Sequence, residues 1–171
     1  MKYRVLYVSK TGNTEKLAKA IYEAIPDSSK DIQRLTSNID LNDTETLFIG
    51  FWTNRGTCSF EVLDFLSEIH GKNIALFGTC GMGKSKAYYD KIATQVSAFI
   101  PDDNIYMGTF LCQGKMPMQV REKYESYLED KDSDEIRAML NNFDQAIFHP
   151  NQEDFHNASK FVKSVISKYD L

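Results

Sequence analysis

Two short stretches of the chain carry residue types suited to binding phosphate. "GTCGMGKS" (78–85) fits the pattern G-x-x-x-x-G-K-[ST], with Gly78, Gly83, Lys84 and Ser85 in the required places. In a nucleotide-hydrolysing enzyme such a loop wraps phosphates with its backbone amides, while the lysine and hydroxyl reach the terminal phosphates and Mg²⁺. "SKTGNT" (9–14) is the second candidate. It offers the hydroxyls of Ser9, Thr11 and Thr14, the amide of Asn13 and the ammonium of Lys10. Gly12 lets the main chain turn tightly around an anion. One chain of this size has room for one of these as its main phosphate site, and the surrounding elements decide which.

"YRVLYV" (3–8), "TLFIGF" (46–51), "NIALF" (73–77) and "IYMGTFLC" (105–112) are short apolar runs with the composition of buried strands, and "DIQRL" (31–35) is a weaker one. Between them lie helical spacings: Leu17, Ala18, Ile21, Tyr22 and Ile25, closed by Pro26; Val62, Phe65, Leu66 and Ile69; and Tyr88, Tyr89, Ile92 and Val96. Strands alternating with helices predict an α/β fold with a parallel sheet covered on both faces. After residue 115 the strand signal ends. Two helices are expected near 117–129 and 133–146, with the acidic stretch "EDKDSDE" (129–135) as a solvated turn between them. A last helix begins near Gln152, with Asn151 as its N-cap.

This layout disfavours nucleotide hydrolysis. Such a domain also needs an acidic residue at the end of a second strand to hold Mg²⁺. The one strand expected after Ser85 carries no terminal Asp or Glu. "SKTGNT" instead joins the first strand to the first helix, where unpartnered N–H groups and the positive end of the helix dipole attract an anion. The residues alone also allow a plain helix cap with a turn glycine. Trp52, which follows a buried strand and opens the polar loop "WTNRGT", is either a platform for a flat ring or a tryptophan at the core edge.

The composition narrows the classes. Apolar residues make up 42% of the 171, a globular proportion. A net charge of −4 argues against nucleic acid and anionic membrane surfaces, which need a positive face. Cys58, Cys80 and Cys112 form no close-spaced pair, and an odd count without a disulfide framework suits a reducing cytoplasm. Cys80 and Cys112 fall on strands expected to be neighbours, which allows either a redox pair or two inert buried thiols. His70, His149 and His156 are dispersed, so no metal site is expected. The N-terminal apolar run is too short for a signal peptide, and nothing approaches a membrane-spanning length.

"YVSKTGNTEKLAKAI" resembles the phosphate-binding signature of the flavodoxin family, of the type [ST]-x-T-G-x-T at the end of the first strand. "FIGFWTNRGT" and "LFGTCG" resemble that family's loops after the third and fourth strands. The resemblance covers about residues 1–112 and the final helix. It implies one flavodoxin-like domain over 1–171, a doubly wound five-stranded parallel sheet of order 2-1-3-4-5, and a helical insertion near 115–150. It also implies bound FMN. Ser9, Lys10, Thr11, Gly12, Asn13 and Thr14 would surround the 5′-phosphate, and Phe51, Trp52, Thr53, Asn54 and Gly56 would border the ring. Gly78, Thr79, Cys80 and Gly81 would meet its pyrimidine end through backbone groups, and Gln113 and Gly114 its edge. On this basis the match of "GTCGMGKS" to the nucleotide pattern is accidental.

Two departures stand out. No Asp or Glu occurs in 51–60 or 78–87, whereas Arg55 and Lys84 do. A nearby cation favours an anion, so a less negative potential is expected than in strongly acidic members. Residues 113–150 replace a short link, and the added helices are expected to roof the site, exclude water or dock a partner, with Tyr124 and Tyr127 as candidate exposed aromatics of which at least one is expected to pack inward. The function implied is a soluble, monomeric, cytoplasmic electron carrier between a reductase and an acceptor flavoenzyme or metalloenzyme. The alternative is an FMN-dependent reductase or oxidase acting on a quinone or tetrapyrrole. A domain that has lost its flavin and serves as a binding module is a third possibility.

Overall fold

A computed structural model of the chain describes residues 2–83, 85–130 and 133–171. The strands are β1 (Tyr3–Tyr7), β2 (Lys30–Arg34), β3 (Thr46–Trp52), β4 (Asn73–Cys80) and β5 (Ile105–Gln113). They form one parallel sheet in the order β2-β1-β3-β4-β5, as expected. The helices are α1 (Asn13–Ala24), α2 (Phe60–Ser67), α3 (Lys86–Ser97), α4 (Met118–Asp130), α5 (Asp134–Ala146) and α6 (Gln152–Tyr169). Lys84, and residues 131–132 of the expected acidic turn, lie outside the described residues.

The period-2 alternation of side chains divides the core into two layers. Leu6, Leu47, Ile49, Phe51, Ile74, Leu76 and Cys80 face one way and meet Val62, Leu66, Ile92 and Val96 from α2 and α3. Val5, Phe48, Ala75, Phe77, Met107 and Cys112 face the other and meet Leu17, Ile21, Ala158 and Val162 from α1 and α6. Cys80 and Cys112 therefore lie on opposite faces of the sheet. The register sets Thr79, not Cys80, beside Cys112, so no redox pair forms.

β4 runs three residues beyond the apolar "NIALF". Phe51 and Trp52 on one side and Leu111, Cys112 and Gln113 on the other supply ladder partners to Gly78, Thr79 and Cys80. Gly78 is fixed by packing: a Cβ there would lie 2.8 Å from the Phe51 carbonyl oxygen. At the far end of the chain, Asn151 caps α6 as expected. Its side chain accepts from Glu153 and Asp154, and the Asp154 carboxylate accepts from the Asn151 N–H.

The inserted helices behave differently from the rest. α5 anchors through Phe143 and Ala146, both fully buried. α4 has no buried residue and packs on α5. Arg121 of α4 reaches Asp144 of α5 and stands over the Phe143 ring at 5.6 Å.

Candidate functional site

The carboxyl ends of β1, β3, β4 and β5 converge on a cavity of about 470 Å³, within the usual range of small-molecule pockets. Its floor is the start of α1. Gly12 precedes that helix at φ +85°, a conformation that favours glycine, and no side chain caps the helix. The Gly12 N–H donates to Ser9 Oγ at 3.1 Å. The N–H groups of Asn13, Thr14 and Glu15 have no acceptor among the described residues, although Asn13 and Thr14 are buried. Buried main-chain donors are rarely left unpaired, so this helix start is built for an outside acceptor, and its dipole makes an anion the favoured one. Thr14 Oγ1 lies 3.0 Å from Thr79 Oγ1, which ties the helix start to the end of β4.

Trp52, half-buried at the end of β3, forms a side wall, and Lys10 Nζ stands 5.2 Å from its ring centroid. The loop after Trp52 turns sharply at Arg55 (φ +51°) and Gly56 (φ +87°), closed by paired backbone bonds between Asn54 and Thr57. Thr53 Oγ1 contacts Cys80 Sγ at 3.0 Å. Burial pushes the Cys80 thiol up to about 11 against that hydrogen bond, and does the same to Cys58. Cys112 is raised well above the ordinary range by burial. All three are protonated thiols at neutral pH.

The fourth wall comes from the end of β5 and the insertion. Asn13 Nδ2 donates to the Lys115 carbonyl at 2.7 Å, and the Gly114 N–H to the Cys80 carbonyl at 2.8 Å. Met116, Pro117, Val120 and Tyr124 follow, so α4 covers the cavity with one of its two candidate aromatics, while Tyr127 stays exposed. Lys10, Arg55 and Lys115 line the walls, and among the described residues no Asp, Glu or His does. None of the three cations has a carboxylate partner among the described residues. An anion-seeking floor, an aromatic wall and unpaired cations fit a flat molecule with a phosphate tail.

The family model for the flavodoxin domain matches residues 4–163, nearly the whole chain. This chain belongs to the flavodoxin domain family. A flavodoxin-like domain-containing protein, BilS, of Clostridioides difficile is 37% identical, the alignment covering 100% of this chain and 99% of that one. Oxidised flavodoxin 2 from Bacillus cereus superposes with a TM-score of 0.59 at 17% identity, over 98% of this chain and 99% of that one. A Lactobacillus acidophilus flavoprotein solved with FMN superposes with a TM-score of 0.51 at 16% identity, over 72% of this chain and 98% of that one.

In this flavodoxin domain, Lys10, Thr11, Asn13, Trp52, Thr53, Gly56, Thr79, Cys80, Gly81 and Gly114 of the expected residues line the cavity. Ser9, Gly12 and Thr14 stand behind its floor, shaping the loop. Asn54 is exposed on the hairpin, and Phe51, Gly78 and Gln113 are interior residues of the strands. Met82, Tyr88, Lys115, Met116, Pro117 and Val120 line the cavity although they were outside the expected set. "KMP" directly continues the expected "CQG", and that continuity was the available signal. The hydroxyl of Ser85, the last position of the nucleotide-type pattern, accepts from the Tyr88 N–H as the cap of α3.

Proposed function

We propose that this flavodoxin-domain protein binds FMN in the cavity and carries electrons between redox enzymes. The observation that carries the proposal is the uncapped start of α1. Its three N–H groups, without an acceptor among the described residues, lie under a cavity walled by Trp52 and by cations that have no carboxylate partner among those residues. Bound FMN supplies one- and two-electron transfer, chemistry the side chains do not have.

The chain's own residues have separate tasks. The amides of Asn13, Thr14 and Glu15, with the Thr11 hydroxyl, hold the phosphate. Trp52 offers a flat apolar face, and stacking adds to the area it buries. The backbone around Thr79, Cys80 and Gly81 borders the polar end of the ring. Lys10, Arg55 and Lys115 raise the local positive potential, which favours whichever form of the bound molecule carries more negative charge. This supports a less negative reduction potential than acidic surroundings give. Val120, Tyr124 and Met116 exclude water from one side. Among the described residues the walls contain no carboxylate or imidazole for acid–base work. That suits a carrier, whose partners supply such groups.

One observation favours a second function. Met116, Val120 and Tyr124 add an apolar wall from the insertion. A wall of this kind suits an FMN-dependent reductase or oxidase that binds a quinone or tetrapyrrole directly. The visible spectrum of the purified protein, followed by titration of the apoprotein with FMN, tests the cofactor. A folded protein that refuses FMN overturns both functions. Turnover of NAD(P)H and a quinone with no second protein present favours the enzyme, and flavin that responds only to an added reductase favours the carrier.

A further inference from the structure

Asn142, on the inserted helix α5, uses one end of its side-chain amide on the cavity loop after β4 and the other on Gln113 at the end of β5. Its Nδ2 donates to the Gly81 carbonyl at 3.0 Å and to Met82 Sδ at 3.3 Å, and its Oδ1 accepts from Gln113 Nε2 at 3.0 Å. Gln113 Nε2 also donates to the Gly81 carbonyl, at 3.3 Å. A carbonyl oxygen can only accept, so it fixes the orientation of both amides: each must turn its nitrogen toward Gly81. The bond between Asn142 and Gln113 then follows without conflict. Gln113 is 3% exposed, and its Oε1 has no donor among the described residues, so the Gln113 side chain is set by its nitrogen. Gly81 and Met82 both line the cavity.

We propose that Asn142 is a positioning residue through which the helical insertion sets the loop after β4. Two donors hold the Gly81 carbonyl toward Gln113 and α5. Because the peptide is planar and trans, the Met82 N–H must point the opposite way. Asn142 also restrains the Met82 thioether, so one side chain sets both the main-chain direction and a side chain of adjacent wall residues. The role of the loop as a border of FMN rests on the function proposed above, whereas the clamp on the loop does not depend on it.

The test compares Asn142→Leu and Asn142→Asp with the wild type. Leucine removes every polar contact without adding charge. Aspartate keeps an acceptor for Gln113 but has no N–H for Gly81 or Met82. In the apoprotein, backbone amide order parameters at Gly81–Gly83 are expected to fall from the rigid range (about 0.85) toward the flexible one (below about 0.6) in both variants, with the melting temperature little changed. In titrations with FMN, both variants are expected to bind about 3- to 10-fold more weakly, the size of one or two lost hydrogen bonds. The visible band of bound FMN should also shift, which a merely structural residue far from the ring would not cause. Unchanged order parameters at Gly81–Gly83 in either variant overturn the clamp. Lower order parameters with FMN affinity and spectrum unchanged overturn its role at the ring. A wild type that binds no FMN overturns the flavin function, and the order parameters of the apoprotein still decide the clamp.

Discussion

The start of α1 and the inserted pair α4–α5 border the same cavity and are built in opposite ways. α1 buries Leu17, Ala18 and Ile21 against the sheet and presents main-chain amides to the site. Its geometry is fixed by the core, and its chemistry is largely independent of side-chain identity. α4 buries nothing, rests on α5, and presents the side chains of Val120 and Tyr124. The contrast teaches that one wall is a rigid part of the fold. The other is held by a small anchor, Phe143 with Ala146, and by polar contacts, so its identity and position can vary without disturbing the sheet.

The sharpest way to break this comparison is at the anchor. Phe143→Ala removes a fully buried ring and is expected to cost about 3–5 kcal/mol of local stability. Hydrogen exchange should rise across α4 and α5 and stay unchanged in α1 and α6. Equal loss of protection in α6 would show that insertion and sheet unfold as one unit. At the other wall, the combined change Gly12→Val, Asn13→Ala and Thr14→Val is expected to weaken FMN binding by at least about 100-fold, because a β-branched residue forced into a left-handed conformation at position 12 displaces the main-chain amides that make the charge-assisted hydrogen bonds. Undiminished affinity in a folded variant, followed by flavin fluorescence, would move the phosphate elsewhere.

Smaller effects sharpen the comparison. Replacing Lys10 or Arg55 with glutamine should make the flavin potential more negative by about 40 mV, equivalent to about 1 kcal/mol for a partly solvated charge. A redox titration that moves the other way would remove these cations from the electrostatics of the ring. Tyr124→Ala should weaken FMN binding by about 3-fold, the lower end of an aromatic contact. An effect as large as that of the α1 triple change would mean that the insertion, not the fold, dominates binding.

The sheet was legible because each strand is an apolar run flanked by polar turns, and the order of elements leaves few topologies. The end of β4 was not, since Gly78, Thr79 and Cys80 have weak strand character and are extended only because strands on both sides pair with them. The phosphate-type loop could be read because its residues adjoin one another in sequence. The α4 wall was half legible: Val120 and Tyr124 share a helical face, but periodicity does not say what a face meets. Asn142 was illegible. Asn141 beside it is the same residue type and is exposed, and only the packing of α5 against the loop after β4 separates them.

Trp52 is the single tryptophan of the chain. With Lys10 above its ring, the indole emission of the apoprotein reports from one wall of this cavity alone. A planar guest seated on that face has to push the ammonium aside. Filling the cavity is therefore expected to register twice without any label: as a change in ultraviolet fluorescence, and as a salt dependence set by the cation the guest displaces.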